Sequence, residues 1–257
     1  MAGQMWNEMT RDEVRAALPE AIVVLPTGAT EQHGPHLVTG HDTFAVTDVA
    51  TRAASLAQGD VIVAPTLPFG SSHHHLPFGG TLSLSTETYR AVVSDLVASM
   101  IAGGARRIFL LNGHGGNQEL NVLVARDQAL QQSAAHPVVI AAASYWQIAE
   151  ASILATPGMA GIPLPGHAGA FETSTMLACN PDRVRSTFAE READPSRLPL
   201  IPGTRIEASN AWQAFDGFTD FPERATAELG SAVLEVILRD VAAAFDTLAN
   251  LPIELPS

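Results

Sequence analysis

The sequence predicts an α/β protein with a mainly parallel sheet. Three observations carry that prediction. Short apolar runs alternate along the chain with longer segments whose apolar residues recur at helical spacing, which is the pattern of repeated strand–helix units. Loops separate each run from the helix after it. The loops rich in His, Asp, Glu and Gly follow the runs, the position where open parallel sheets bind their ligands. No internal repeat and no linker interrupts residues 1–257, which read as a single domain.

Taken in order, residues 10 to 19 read as a short capped helix ending before Pro19, since the residue before proline is pushed out of the helical region. Ala21 to Leu25 is the first strand, and a loop rich in acids and histidines follows it. Val46, Val49, Ala50, Ala53 and Ala57 recur at helical spacing, so Thr43 to Ala57 is a helix that starts directly after Asp42. Val61 to Ala64 is the second strand. The loop Pro65 to Ser83 is long for a compact domain, and loops of that length are usually functional. Ser85 caps a helix whose buried stripe is Tyr89, Val92, Val93, Leu96, Val97 and Met100, ended by Gly103 and Gly104. Arg107 to Asn112 is the third strand. After Gly113-His114-Gly115-Gly116-Asn117, a helix begins with Leu120, Val122 and Leu123. Val138 to Ala143 is the fourth strand, with Tyr145 and Trp146 beyond its end. The Pro- and Gly-rich stretch Thr156 to Gly166 is non-helical and delivers His167 and Glu172 into a short helix ending near Asn180. Residues 190 to 221 read as irregular or a hairpin, and Pro222 to Leu248 closes the chain as an amphipathic helix.

Composition narrows the function. Hydrophobic residues are 46% and charged residues 16% of the chain, a globular balance. A net charge of −13 with no Lys/Arg-rich run argues against nucleic-acid and anionic-membrane partners, because phosphate binding needs clustered positive charge. No apolar run approaches the roughly 20 residues of a membrane-spanning helix. Cys179 is the only cysteine, so no intrachain disulfide forms, and the amino terminus lacks the layout of a signal peptide. A soluble cytoplasmic protein is the expectation.

The chemistry concentrates between Glu31 and Asp42. In an extended segment residues two apart face the same side, so Glu31 and His33 can address one point while Gln32 faces away. Gly34, Pro35 and Gly40 bend the chain so that Asp42 can return to that point. Carboxylate oxygen with imidazole nitrogen is the ligand set of a catalytic divalent site, most often zinc or another first-row metal. Taken singly, His36 and His41 could be solvated loop residues, and it is the clustering of such residues that favours a site. The glycines around His114 let the backbone approach a ligand closely. His167 and Glu172 form a third rich loop at the same end of the inferred sheet. At most one of His73, His74 and His75 is expected to face the site. Gly113-His114-Gly115-Gly116 lacks the endings of nucleotide-binding loops, Ser174 sits in no nucleophile elbow, and Cys179 falls on an apolar helix stripe.

Glu31-Gln32-His33-Gly34-Pro35-His36, Asp42, Asn112-Gly113-His114-Gly115-Gly116-Asn117 and His167-Ala168-Gly169 with Glu172-Thr173-Ser174 together resemble the creatininase (creatinine amidohydrolase) family, from about residue 20 to about residue 180. The resemblance implies a three-layer α/β/α fold and a dinuclear divalent metal centre, with Zn2+ first and Mn2+ or Fe2+ as alternatives. It also implies hydrolysis of C–N bonds in amides and a hexamer built of dimers. Glu31 and His114 would hold one metal, His33 the other, and Asp42 would bridge them. Creatininase itself carries a glutamate ligand where this chain has Gly116, and Glu172 is the candidate for the missing carboxylate. His167, without a place in the metal shell, is the expected proton shuttle, and Glu172 joins it as a catalytic candidate. His75, Trp146 and Asn117 are the expected substrate contacts. Creatinine-hydrolysing members enclose the substrate ring with tryptophans; Trp146 matches one, and Met159 to Gly166 offers no second. The expected substrate is a small, cyclic amide. Deformylating and peptide-trimming relatives, or a metal-binding homologue without activity, are the alternatives.

Overall fold

The computed structural model describes residues 3–132, 136–185, 206, 208 and 211–253. Five strands form one sheet: β1 (Gln4–Met5), β2 (Ile22–Thr27), β3 (Val61–Val63), β4 (Arg107–Asn112) and β5 (Val139–Ser144), in the order β1-β3-β2-β4-β5. Every pairing is parallel, with Val24 opposite Val63 on one side and Phe109 on the other. Because β2 is flanked by β3 and β4, the chain winds outward from it in both directions. The crevice beyond its carboxyl end is therefore the topological switch point, where such sheets take ligands.

Alternation along the strands builds two cores. Ile22, Val24, Val61, Val63, Phe109 and Leu111 face helices α2 (His41–Leu56), α7 (Ala170–Cys179) and α8 (Ala227–Asn250), joined by the short α5 (Tyr145–Ile148) and α6 (Glu150–Ala155). Val23, Leu25, Ile62, Ile108 and Leu110 face α3 (Thr86–Ala102) and α4 (Gln118–Leu130), with α1 (Arg11–Ala17) at the edge. The result is three layers, α/β/α. Local signals set the helix starts: Thr10 and Glu13 form a reciprocal capping box at α1, and Ser85 accepts from the Thr88 backbone N–H at 3.1 Å.

The structure departs from the sequence reading in places. β1 is too short to show a periodicity. β2 runs beyond Leu25 through Pro26 to Thr27. Pro26 is tolerated because its carbonyl accepts from Leu67 on the side where β3 has already ended, so no ladder donor is lost. α2 starts at His41, not Thr43, which takes two of the loop's polar residues into its first turn. Of residues 190 to 221, those from 190 to 205 lie outside the described residues, as do 207, 209 and 210. The described part contains a 3-10 turn, Trp212–Phe215, and no strand.

Candidate metal centre

Three loops beyond the sheet and the start of α7 meet at the switch point. Glu31, His33, His41 and Asp42 come from the loop after β2 and the first turn of α2, and His74 and His75 from the loop after β3. His114 follows β4, and His167 and Glu172 flank the start of α7. Apart from the partly buried His74, these side chains are buried. Burying so many ionisable groups is costly unless they are paired or coordinate a metal.

Asp42 stands between two histidines. Its Oδ1 lies 3.0 Å from His33 Nε2 and its Oδ2 3.0 Å from His114 Nδ1. His114 Nδ1 is also 3.3 Å from Glu31 Oε1, and His33 Nε2 is 3.7 Å from Glu172 Oε2. The opposite ring nitrogens are anchored to backbone. His33 Nδ1 lies 3.2 Å from the Glu31 carbonyl, and His114 Nε2 lies 3.1 Å from the Ser71 carbonyl. Donating one ring N–H to a carbonyl aims the other nitrogen's lone pair inward, which is how metal-ligating histidines are oriented. Asn112 folds the turn that carries His114, accepting from its backbone N–H and donating to its carbonyl.

Electrostatics separates the groups. Burial alone would lower the His33 pKa, but the charge of Asp42 overrides it and raises the ring to about 10. His114 is likewise raised, against burial, by Glu31 and Asp42. Glu31 and Asp42 are held below the usual carboxylate range, because the facing histidines outweigh burial. Burial lifts the Glu172 carboxyl to about 8. It lowers His41 and His167 to about 3 and His75 to about 2, so these rings are neutral at pH 7.

Donor counting assigns the tautomers of the neutral pair. The Gln32 amide has two hydrogens, and its shortest contacts are Gly217 O at 2.6 Å and His75 Nδ1 at 2.7 Å. His75 therefore carries its proton on Nε2, 3.5 Å from Glu31 Oε1. His167 donates from Nε2 to the Gln32 carbonyl at 2.9 Å, which leaves Nδ1 as an acceptor 3.7 Å from Glu31 Oε1. Thr219 fixes the His167 backbone: its hydroxyl accepts from the His167 N–H at 2.7 Å, and its own N–H reaches the His167 carbonyl at 2.8 Å. Asp220 accepts from Ala170 N–H at 2.8 Å, tying the same turn to α7.

A cavity of about 150 Å³ opens on these groups, lined by Glu31, His75, His114, His167, Trp146 and Trp212 among others. A larger groove of about 680 Å³ beside α1 is lined by no acid and no histidine, so volume does not mark the site. Several sequence expectations need correction here. His36 and His41 are buried, not solvated. His36 packs against Thr173 at 3.0 Å, outside the cluster, whereas His41 lies inside it. Both His74 and His75 line the cavity, not one of the three at most. Asn117 does not line it: its amide bonds Ser71 N–H and the Gly28 carbonyl, each at 3.0 Å, and so braces two loops. A second tryptophan does reach the cavity, but from Trp212, whose ring centroid is 4.6 Å from that of His75. Nothing in the sequence around Trp212 signals this. The position of the family's glutamate is closed, since a Cβ on Gly116 would lie 2.2 Å from the Ser71 carbonyl oxygen.

Do these residues fit a metal? Glu31 Oε2 and both ring nitrogens of His41 are buried with no hydrogen-bond partner, and Asp, Glu and His in such clusters are the donor set of first-row divalent ions. Sheet and cluster together define a parallel α/β protein with a buried carboxylate–histidine centre able to hold metal.

The chain belongs to the creatininase family, whose model, described as creatinine amidohydrolase, matches residues 7–245. It is 31% identical over 263 residues to a creatinine amidohydrolase of Pseudomonas putida, covering 92% of each chain. It is 29% identical over 229 residues to a mycofactocin precursor peptide peptidase of Mycobacterium tuberculosis, covering 85% of this chain and 82% of that one. A solved manganese form of creatininase superposes with a TM-score of 0.76 at 28% identity, over 94% of this chain and 97% of that one.

Proposed function

We propose that this protein is a dinuclear metal-dependent amidohydrolase that cleaves a C–N bond of a small, cyclic amide. The observation that carries the reading is Asp42, whose two oxygens face different histidines at 3.0 Å each. Such a carboxylate suits two cations held side by side, with Glu31 and His114 on one and His33 and Glu172 on the other. Zn2+ is the first choice and Mn2+ the next, the manganese form of creatininase supporting the latter. Two bound divalent cations would supply polarisation of the amide carbonyl and activation of water near neutral pH.

The chain's own residues do the rest. His167 takes a proton from the attacking water at Nδ1, the nitrogen left free by its bond to the Gln32 carbonyl, and hands it to the departing nitrogen as the C–N bond breaks. Neutral His75 presents an Nε2–H into the cavity, where it can donate to a substrate oxygen. Trp146 and Trp212 wall the space and favour a flat ligand. A volume of about 150 Å³ favours a small molecule. The peptide peptidase among the relatives supports a second reading, the trimming of a peptide terminus. We also infer a homo-oligomer, supported by Phe69, Leu76 and Leu82, exposed apolar residues of the single loop after β3. The testing experiment is a hydrolysis screen of the metal-loaded protein over lactams, hydantoins, formamides and short peptides. Turnover of a lactam or hydantoin is expected. Turnover of peptides alone would replace the reading with the second one, and a folded protein that binds no divalent ion would end both.

A further inference from the structure

His41 has no role in the site as assigned so far, yet its placement is hard to explain as packing. It is 1% exposed, and neither of its ring nitrogens has a hydrogen-bond partner. Leaving a buried polar group unpaired is costly, and an apolar side chain of similar size would avoid that cost. Its Nε2 lies 4.0 Å from Glu172 Oε1, and its ring centroid is 4.6 Å from that of His33. One ligand atom from each of His33, His41, Asp42 and Glu172 falls within 4.8 Å of all the others. That spacing suits four donors around one small cation; His33 and Asp42 stand 3.0 Å apart, and His41 has no bond to any of the others. The residue is also held in place: as the first residue of α2, it has its backbone fixed by a bond from its N–H to Val38 O at 3.1 Å.

We propose that His41 is a direct ligand of the cation held by His33, completing a four-residue set with Asp42 and Glu172. The inference rests on the two-cation reading above but adds a ligand to it. It makes the two positions unequal: the His33 position draws two imidazoles and two carboxylates from protein, and the Glu31–His114 position draws one imidazole and two carboxylates. Four protein ligands are the mark of a closed site, and three leave a place for water or substrate. Substrate chemistry accordingly belongs to the Glu31–His114 position, all of whose ligands line the cavity, whereas of the His33 set Asp42 and Glu172 line it and His33 and His41 do not.

The test uses His41→Phe, which keeps the ring packing and removes both nitrogens. Zn2+ is titrated calorimetrically into chelator-stripped protein, and melting is followed in EDTA and in excess Zn2+. Wild type is expected to bind two ions per chain. In His41→Phe one of the two should weaken more than about 100-fold, beyond the effect of losing an outer hydrogen bond, and the other should stay within about threefold. In EDTA the variant should melt no lower than wild type, because it has lost an unpaired buried imidazole and nothing else. Two sites of unchanged affinity in the variant, against two in wild type, would overturn the ligand while leaving the dinuclear reading standing. A lower melting point in EDTA with the Zn2+-dependent rise intact would show a packing role and overturn it as well. Fewer than two ions in wild type would remove the dinuclear reading and the ligand with it. Should His41→Phe not fold, His41→Gln is read by the same titration, with the same criteria.

Discussion

At the scale of single residues, Asp42 and His167 make opposite forecasts. A carboxylate shared by two coordination shells cannot be removed from one alone, so Asp42→Ala should empty both positions, whereas His33→Ala should empty mainly one; elemental analysis of the purified variants decides. Retention of both metals in Asp42→Ala would rule out the bridge. His167→Ala should keep its metals and lose about 10² to 10⁴ in kcat, the usual worth of one general acid or base, with KM little changed. Loss of metal in proportion to activity would instead make His167 a ligand. Much of this was legible in the sequence, because Glu31, His33 and Asp42 sit close together with turn residues between them. His41 was not. A histidine beside a glycine looks solvated until the helix start is known to lie at His41 and to carry the ring inward.

At the scale of elements, the start of α7 depends on a turn some fifty residues later. Asp220 accepts from the Ala170 N–H, and a Cβ on Gly169 would collide with the Asp220 carboxylate. The glycine is thus the seat in which that acid rests. Asp220→Ala should cost about 1 to 2 kcal/mol, as for a lost helix cap, and should lower metal occupancy, because α7 carries Glu172. Asp220→Asn, which keeps an acceptor, should recover most of the stability. Thermal melting with metal analysis tests both, and a wild-type melting curve for Asp220→Ala would remove the capping role. The strands and long helices were readable from periodicity, since each buries a regular stripe. The clamp formed by Gly217, Thr219 and Asp220 was not, because its bonds to Gln32, His167 and Ala170 join residues far apart in sequence and follow no period.

For the whole molecule, the buried charges set a pH dependence that metal should erase. Without metal, His33 is raised to about 10 in the folded protein, so its stabilisation is full below the ordinary value near 6.5 and is lost as pH rises toward 10. Glu172, raised to about 8, acts in the same direction: the unfolded chain gives up its proton near 4.5 and the folded one does not. Below about 6.5 the buried neutral rings of His41, His167 and His75 act the other way, because the unfolded chain takes up their protons and the folded one does not. Stability of chelated protein should therefore peak at about pH 6.5 and fall from there to about 10. Metal binding displaces these protons, so affinity should rise with pH over the same range. Denaturant melts at several pH values, with EDTA and with Zn2+, measure this; a flat profile in EDTA would contradict the assigned shifts. Sedimentation at micromolar concentration should show an oligomer, and a monomer would count against that inference.

The cluster is assembled from residues 31 to 172, with whole strands and helices between its parts, so it has no counterpart in the unfolded chain. An ion that binds only the folded form adds about 2.7 kcal/mol when present at 100 times its dissociation constant. Fold strength and metal supply then become interchangeable inside a cell. A weakening change deep in the opposite core, such as Val97→Ala under the sheet, would present as a metal-starvation phenotype, and supplementing the growth medium with the ion would rescue it.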